Sequence, residues 1–148
     1  MGSLAMAIVC LSSASLLAGV YVIFRVRWIF RQPVDNPLLR RISSYVSDGA
    51  MAFLSREYRL LAPFVFIVAG ALFFANRGAL RLQALAFVLG AVASGSAGFI
   101  GMYVATRANA RTTHAAGNGL NSALRVSFAG GSVMGLSVVG LVLTGILI

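Results

Sequence analysis

The sequence contains no lysine, only three acidic residues, one cysteine and one histidine among its 148 residues. Charged residues make up 10% of the chain, whereas soluble domains carry about 25%, so there is too little charge to cover a water-facing surface. Cys10 has no partner for an internal disulfide, and His114 has no second histidine with which to bind a metal. These absences argue against a soluble domain, a disulfide-stabilised scaffold and a zinc site built from histidines and cysteines.

Long apolar runs occupy most of the chain, in which 59% of the residues are hydrophobic and the mean hydropathy is +0.93. The first run, Leu4–Phe24, has 21 residues without a charge, about the 20 needed to cross ~30 Å of hydrocarbon. We predict an all-α, polytopic membrane protein that contacts the lipid bilayer along four transmembrane helices. Their predicted spans are residues 4–24, 50–75, 82–106 and 126–148.

The arginines are distributed unevenly between these runs. Seven arginines, from Arg25 to Arg59, lie between the first apolar run and the charge-free run at residues 60–74. Only Arg77 and Arg81 lie between that run and the third. The positive-inside rule therefore predicts an N-terminus outside and cytoplasmic connections at residues 25–49 and 107–125. Because the arginines flank apolar runs, the net charge of +9 indicates anchoring at anionic lipid, and we expect no nucleic acid partner.

The use of arginine without lysine is typical of a GC-rich bacterial genome. It favours the bacterial inner membrane as the location, with an acidic internal compartment as the alternative.

The segment after Pro37 is predicted to be an amphipathic helix that lies at the membrane surface and then turns into the second span. Pro33 and Pro37 bracket a turn ahead of it. Glu57 lies between Arg56 and Arg59, and we expect it to form a structural salt bridge instead of acting as a catalytic carboxylate.

Small residues recur at helical spacing in the third and fourth spans. This spacing puts small residues on one helix face, where two backbones can approach closely. The predicted helix-packing positions are Gly90, Ser94, Gly98 and Gly101 in the third span and Gly131 and Gly135 in the fourth.

Arg107 and Arg111 are one helical turn apart if the third helix continues past the membrane. Two arginines at this spacing can present donors to a phosphate. The alternative is that they snorkel to the interface and cap the helix, which is the more common role of such residues. Arg125 is a third arginine of the same connection.

Carboxylates are missing from the apolar runs themselves, at residues 4–24, 60–74, 82–106 and 126–148. The chain therefore offers neither an intramembrane proton relay nor a cluster of acidic residues able to hold Mg²⁺. We predict no catalytic, cofactor-binding or metal-binding residue in this segment.

Three blocks of sequence resemble the membrane-bound, ion-translocating inorganic pyrophosphatases. Residues 42–61, ISSYVSDGAMAFLSREYRLL, are similar to the family's GAxAFLxREY run. Residues 90–116, GAVASGSAGFIGMYVATRANARTTHAA, and residues 123–141, ALRVSFAGGSVMGLSVVGL, resemble its AG[YF]IGM…AT…AN…RT and GG[AS]VMGL runs. The blocks occur in the family's order, and the stretch from the first to the last, residues 42–141, is roughly two-thirds of the chain.

The resemblance implies the N-terminal portion of a larger helical bundle, a homodimeric pump in which Mg²⁺-dependent pyrophosphate hydrolysis drives H⁺ or Na⁺ across the membrane. It places the catalytic motifs, and the residues that set any K⁺ requirement, on later helices. This segment would then be an inactive outer scaffold that packs against the remaining helices, with Arg107, Arg111 and Arg125 attracting the substrate. We therefore expect a fragment of a longer chain. The alternatives are a stand-alone four-helix membrane protein and an assembly subunit without catalytic activity.

Overall fold

Four long helices account for nearly all of the computed structural model, which describes residues 2–147. No strand occurs within these residues. The helices are α1 (Gly2–Phe30), α2 (Pro37–Ala75), α3 (Leu82–Ala116) and α4 (Leu120–Leu147), with a short 3₁₀ turn at Gly78–Arg81 before α3. All four are long and apolar enough to cross a membrane, which confirms the predicted fold class.

The short connections between helices have local causes in the sequence. The Asn36 side chain caps α2 by accepting hydrogen bonds from the backbone N–H groups of Leu38 and Leu39, at 2.9 and 3.3 Å, and Pro37 occupies the first turn. Gly119, between α3 and α4, has a φ of +110°, a conformation that residues with a Cβ rarely adopt. The α3–α4 connection is therefore only three residues long.

The helices are not packed in the order of the sequence. α4 packs against both α3 and α1, while α2 packs against α3 alone and makes no contact with α1. α1, α3 and α4 thus form a three-helix unit, and α2 lies on the outside of α3.

The core of the three-helix unit is small. It contains the buried residues Ile29 of α1, Val104 and Ala108 of α3, and Ala129 and Val133 of α4. Even with these core residues included, at most 28% of the residues in the apolar stretch of any helix are buried within the chain. The remaining apolar surface faces outward, as expected for helices in contact with lipid or with further helices.

The predicted spans fall inside the observed helices, except that Ile148 lies outside the described residues. The predicted connections 25–49 and 107–125 are largely helical, because α1 continues to Phe30, α2 begins at Pro37, α3 continues to Ala116 and α4 begins at Leu120.

The prediction that the chain turns between the amphipathic segment and the second span is wrong. α2 is one helix of 39 residues, or about 60 Å, which continues through Pro63. Between Pro37 and Pro63 only Gly49 disfavours a helix, and a single glycine is not enough to end one.

Candidate functional site

A polar pocket lies where the α1–α2 connection meets α2 and the C-terminal part of α3. Its cavity volume is about 480 Å³. Two of the three predicted arginines, Arg107 and Arg111, line it, whereas Arg125 is exposed on α4 and does not. A third lining arginine, Arg40 of α2, was missed by the sequence analysis because 67 positions separate it from Arg107. We call this cavity the arginine pocket; its other lining residues are Phe30, Gln32, Pro33, Val34, Ser43, Ser44, Ser47, Asp48 and Ala110.

The helical geometry of α3 positions the two arginines. The helix does continue past Thr106, so Arg107 and Arg111 are separated by one turn. The Arg107 guanidinium carbon lies 3.6 Å from the centre of the Tyr103 ring, and that of Arg111 lies 5.2 Å from the centre of the Phe30 ring. These cation–π contacts hold both charged groups near the pocket wall.

Arg111 is the most enclosed of the three arginines. Its Nη1 donates to the Arg107 carbonyl oxygen at 2.7 Å, and its Nη2 donates to the Phe30 carbonyl oxygen at 3.5 Å. Its Nε is buried and has no hydrogen-bond partner within residues 2–147. Burial lowers the pKa of the Arg111 guanidinium below its ordinary value, and the charges of Arg107 and Arg40 lower it further.

Acidic residues balance this charge only in part. Asp48 lines the pocket, so that three positive charges face one negative charge. Asp35, on the α1–α2 connection, lies 3.6 Å from Nε2 of His114, and its side chain is 78% exposed. The pocket therefore retains an excess of positive charge.

Magnesium does not fit this pocket. Mg²⁺ binds carboxylate and phosphate oxygens, and here a single carboxylate faces three cations. No group of three histidine, cysteine or acidic side chains suited to hold a metal occurs within residues 2–147. The arrangement suits the binding of an anion instead.

Glu57 lies in a second region, an apolar groove between α2 and α3 with a volume of about 1290 Å³. The expected salt bridge to Arg56 or Arg59 is not formed, and the ion pair found in residues 2–147 is that of His114 with Asp35. The reason is helical geometry, since residues one or two positions apart do not face each other. The neighbouring Tyr58 hydroxyl donates to the Gly95 carbonyl oxygen, and both residues line the groove.

The predicted packing residues fall into two groups. A Cβ on Gly98 would lie 3.2 Å from the Tyr58 hydroxyl oxygen, and one on Gly101 would lie 2.8 Å from Met134 Cγ. Gly90, Gly131 and Gly135 have no neighbour within 4 Å of that position, and Ser94 is exposed. For these four positions, packing against further helices stays a prediction.

Close packing also involves two glycines that the sequence analysis missed. A Cβ on Gly130 would lie 3.1 Å from Ala108 Cβ, and one on Gly140 would lie 3.4 Å from Ala18 Cβ. Helical spacing could have identified Gly130, because it lies on the same helix face as Val126, Val133 and Ser137. All four residues are buried in the structure.

A family model described as inorganic H⁺ pyrophosphatase matches residues 16–148, which include both the arginine pocket and the apolar groove. The chain is 35% identical over 132 residues to a K⁺-insensitive pyrophosphate-energised proton pump of Methanosarcina mazei, covering 89% of this chain and 20% of the relative. It is 39% identical over 134 residues to a second such pump of Moorella thermoacetica, covering 90% of this chain and 19% of the relative.

Sodium pumps are among the relatives as well. A K⁺-stimulated pyrophosphate-energised sodium pump of Thermotoga maritima is 39% identical over 122 residues, covering 81% of this chain and 16% of the relative. The chain spans about a fifth of the length of the curated relatives it matches. Since the match extends over nearly the whole of its own sequence, the chain belongs to the inorganic H⁺ pyrophosphatase family.

Proposed function

We propose that this chain is the N-terminal segment of a membrane pump that couples Mg²⁺-dependent pyrophosphate hydrolysis to the translocation of H⁺ or Na⁺. The observation that carries the proposal is the family match over residues 16–148, together with relatives that are pyrophosphate-energised pumps and about five times longer. Mg²⁺ would be bound by later parts of the pump, because the residues of this segment do not fit it. Relatives named as K⁺-insensitive and as K⁺-stimulated pumps are 35% and 39% identical to this chain. Because the identity is similar for both kinds of pump, we assign any K⁺ requirement to later helices too.

Within such a pump we assign this segment a scaffold role. Its apolar helices leave most of their surface uncovered, and Gly90, Ser94, Gly131 and Gly135 are open to neighbours outside the segment. Small residues of this kind let membrane helices approach closely. Homodimer formation and location in the bacterial inner membrane belong to the same proposal.

The distribution of charge supports the proposed orientation. Arginines lie at the C-terminal end of α1, near the start of α2, and at the adjoining ends of α3 and α4. Arg77 and Arg81 lie instead between α2 and α3, at the opposite ends of these two helices. By the positive-inside rule the first group would be cytoplasmic and the N-terminus outside.

Expression of the complete gene in a host without such a pump tests the proposal. Inverted membrane vesicles should hydrolyse pyrophosphate only with Mg²⁺ and should acidify internally, or accumulate Na⁺, when pyrophosphate is added. Vesicles that carry the protein and show no pyrophosphatase activity would contradict the pump. An immunoblot with an antibody against residues 31–49 adds the size of the native product. A band at 15.5 kDa would favour a stand-alone protein or an assembly subunit.

Substrate attraction by Arg107, Arg111 and Arg125 has its own test. In the intact pump, replacing all three with glutamine should raise KM for pyrophosphate roughly tenfold at low ionic strength, because the positive potential that draws in the anion is lost. The difference should shrink as salt is added. The control is R77Q/R81Q, which removes arginines from the opposite end. An unchanged KM in the triple variant would remove this role.

A further inference from the structure

The arginine pocket is more elaborate than charge attraction at a distance requires. Long-range attraction needs exposed charges, such as Arg125, and no cavity. Here Arg40 of α2 and Arg107 and Arg111 of α3 line one cavity of about 480 Å³. Two helices that are distant in sequence thus bring three guanidinium groups to the same space.

A bound anion would relieve the repulsion within this cluster. Like charges repel, and a buried donor without a partner loses the hydrogen bonds that water gave it in the unfolded chain. Asp48 is the one carboxylate that lines the pocket, and the buried Nε of Arg111 has no acceptor within residues 2–147. The site therefore lacks negative charge and a hydrogen-bond acceptor.

We propose that Arg40, Arg107 and Arg111 bind a phosphate group in this pocket. Guanidinium groups offer planar, paired donors that match phosphate oxygens, and three of them line this one cavity. Ser43 and Ser47, one turn apart on α2, line the same wall, and their hydroxyl groups can donate to further phosphate oxygens. The Phe30 ring beneath Arg111 holds that side chain in place.

The phosphate group can come from two sources. One is the headgroup of an anionic phospholipid, because the pocket lies beyond the predicted end of the third span, at the level where lipid phosphates are found. The other is free phosphate or pyrophosphate from the cytoplasm. Binding in either form is independent of the proposed pump function, since it requires no turnover.

Native mass spectrometry of the intact protein tests the lipid arm. Delipidated protein is titrated with phosphatidylglycerol or with phosphatidylcholine, and the lipid retained is counted. We expect one phosphatidylglycerol to bind with an affinity that drops about tenfold in R111Q and in R40Q, because each change removes charged hydrogen bonds. Arg41 is the matched control, since it neighbours Arg40 but contacts Tyr45 outside the pocket, and R41Q should bind as the wild type does.

Calorimetric titration with inorganic phosphate tests the second arm, in neutral detergent and without Mg²⁺ or lipid. Saturable binding that R111Q and R40Q weaken, and that R41Q leaves unchanged, would identify free phosphate as the ligand. Displacement of bound phosphatidylglycerol by phosphate would show that both use one site.

Three results would overturn the proposal. The first is that neither phosphatidylglycerol nor phosphate binds saturably, and the second is that R41Q weakens binding as much as R111Q does. The third result concerns R111K, which also replaces R111Q if that variant fails to fold. Lysine keeps the charge but lacks the paired donors, so R111K should lose affinity several-fold, and wild-type affinity would contradict a guanidinium-specific site.

Discussion

The two interfaces of α3 are built differently. Against α4, α3 packs through glycine contacts, with Gly101 facing the Met134 side chain and Gly130 facing Ala108. Against α2, the contact depends on one large side chain, Tyr58, whose hydroxyl reaches the backbone at Gly95. Beside this tyrosine remains an apolar groove of about 1290 Å³, along which Phe64 and Phe66 are 59% and 74% exposed.

The difference indicates where the chain is complete and where it needs a neighbour. The glycine contacts at Gly101 and Gly130 leave no room for a larger side chain, and the pocket that remains between α3 and α4, about 390 Å³, is much smaller than the groove on the α2 side. The groove between α2 and α3 leaves apolar surface uncovered and contains the half-buried Glu57. This side of α3 is therefore suited to lie beside further helices. Three pairs of variants of the intact protein, compared by thermal unfolding in detergent, test how the helix interfaces differ.

The largest loss is expected at the α3–α4 contact. G130L places a bulky side chain where even a Cβ would lie 3.1 Å from Ala108 Cβ, an atom fixed to its backbone. We expect the free energy of unfolding to fall by about 3 kcal/mol, through overpacking of the two helices. The control is G49L, at a helical glycine with no neighbour within 4 Å, which should be neutral or slightly stabilising. Equal losses in both variants would contradict close packing at Gly130.

An intermediate loss is expected at the α2–α3 contact. Y58F removes the hydroxyl that donates to the Gly95 carbonyl and should lower the free energy of unfolding by about 1 kcal/mol. Y45F is the matched control, because the Tyr45 hydroxyl is exposed and accepts only from Arg41 of its own helix. If Y58F is as stable as Y45F, α2 is held by other contacts than this tyrosine.

The smallest loss is expected between α1 and α4. The Ser15 hydroxyl is 2.7 Å from the Thr144 hydroxyl and 3.1 Å from the Gly140 carbonyl oxygen. Interhelical hydrogen bonds in membranes contribute about 0.6 kcal/mol on average, and S15A should cost about that much. S13A removes a hydroxyl that bonds only within α1, to the Cys10 carbonyl, and should have no effect. A larger loss in S13A than in S15A would exclude the interhelical bond as the cause.

The sequence predicts the helices of this chain much better than their partners. Four apolar runs of sufficient length require four helices, because a bilayer leaves the backbone no other partners. Which helix a small residue meets is a different question. Spacing places Gly98 and Gly101 on one face, yet the first meets α2 and the second meets α4. That division depends on how the helices cross.

The Gly130–Gly131 pair illustrates the same limit. Two adjacent glycines point about 100° apart on a helix, and GxxxG spacing with Gly135 selects Gly131. The structure buries Gly130 instead, on the face that carries Val126 and Val133. The arginine pocket was predictable only in part for a similar reason, since the spacing of Arg107 and Arg111 is local, whereas Arg40 reaches them through the tertiary fold.

The absence of contact between α1 and α2 has a consequence for biosynthesis. α1 leaves the ribosome first, but its hydrogen-bonding partner Thr144 is 129 positions later. At translation rates of about 5–20 residues per second, α1 waits in the bilayer on the order of ten seconds before α4 exists. From its own emergence until α4 follows, α3 likewise lacks the neighbour with which it forms the α3–α4 hairpin. Until α4 is made, the faces of α1 and α3 that it will cover are therefore exposed to lipid or to other helices.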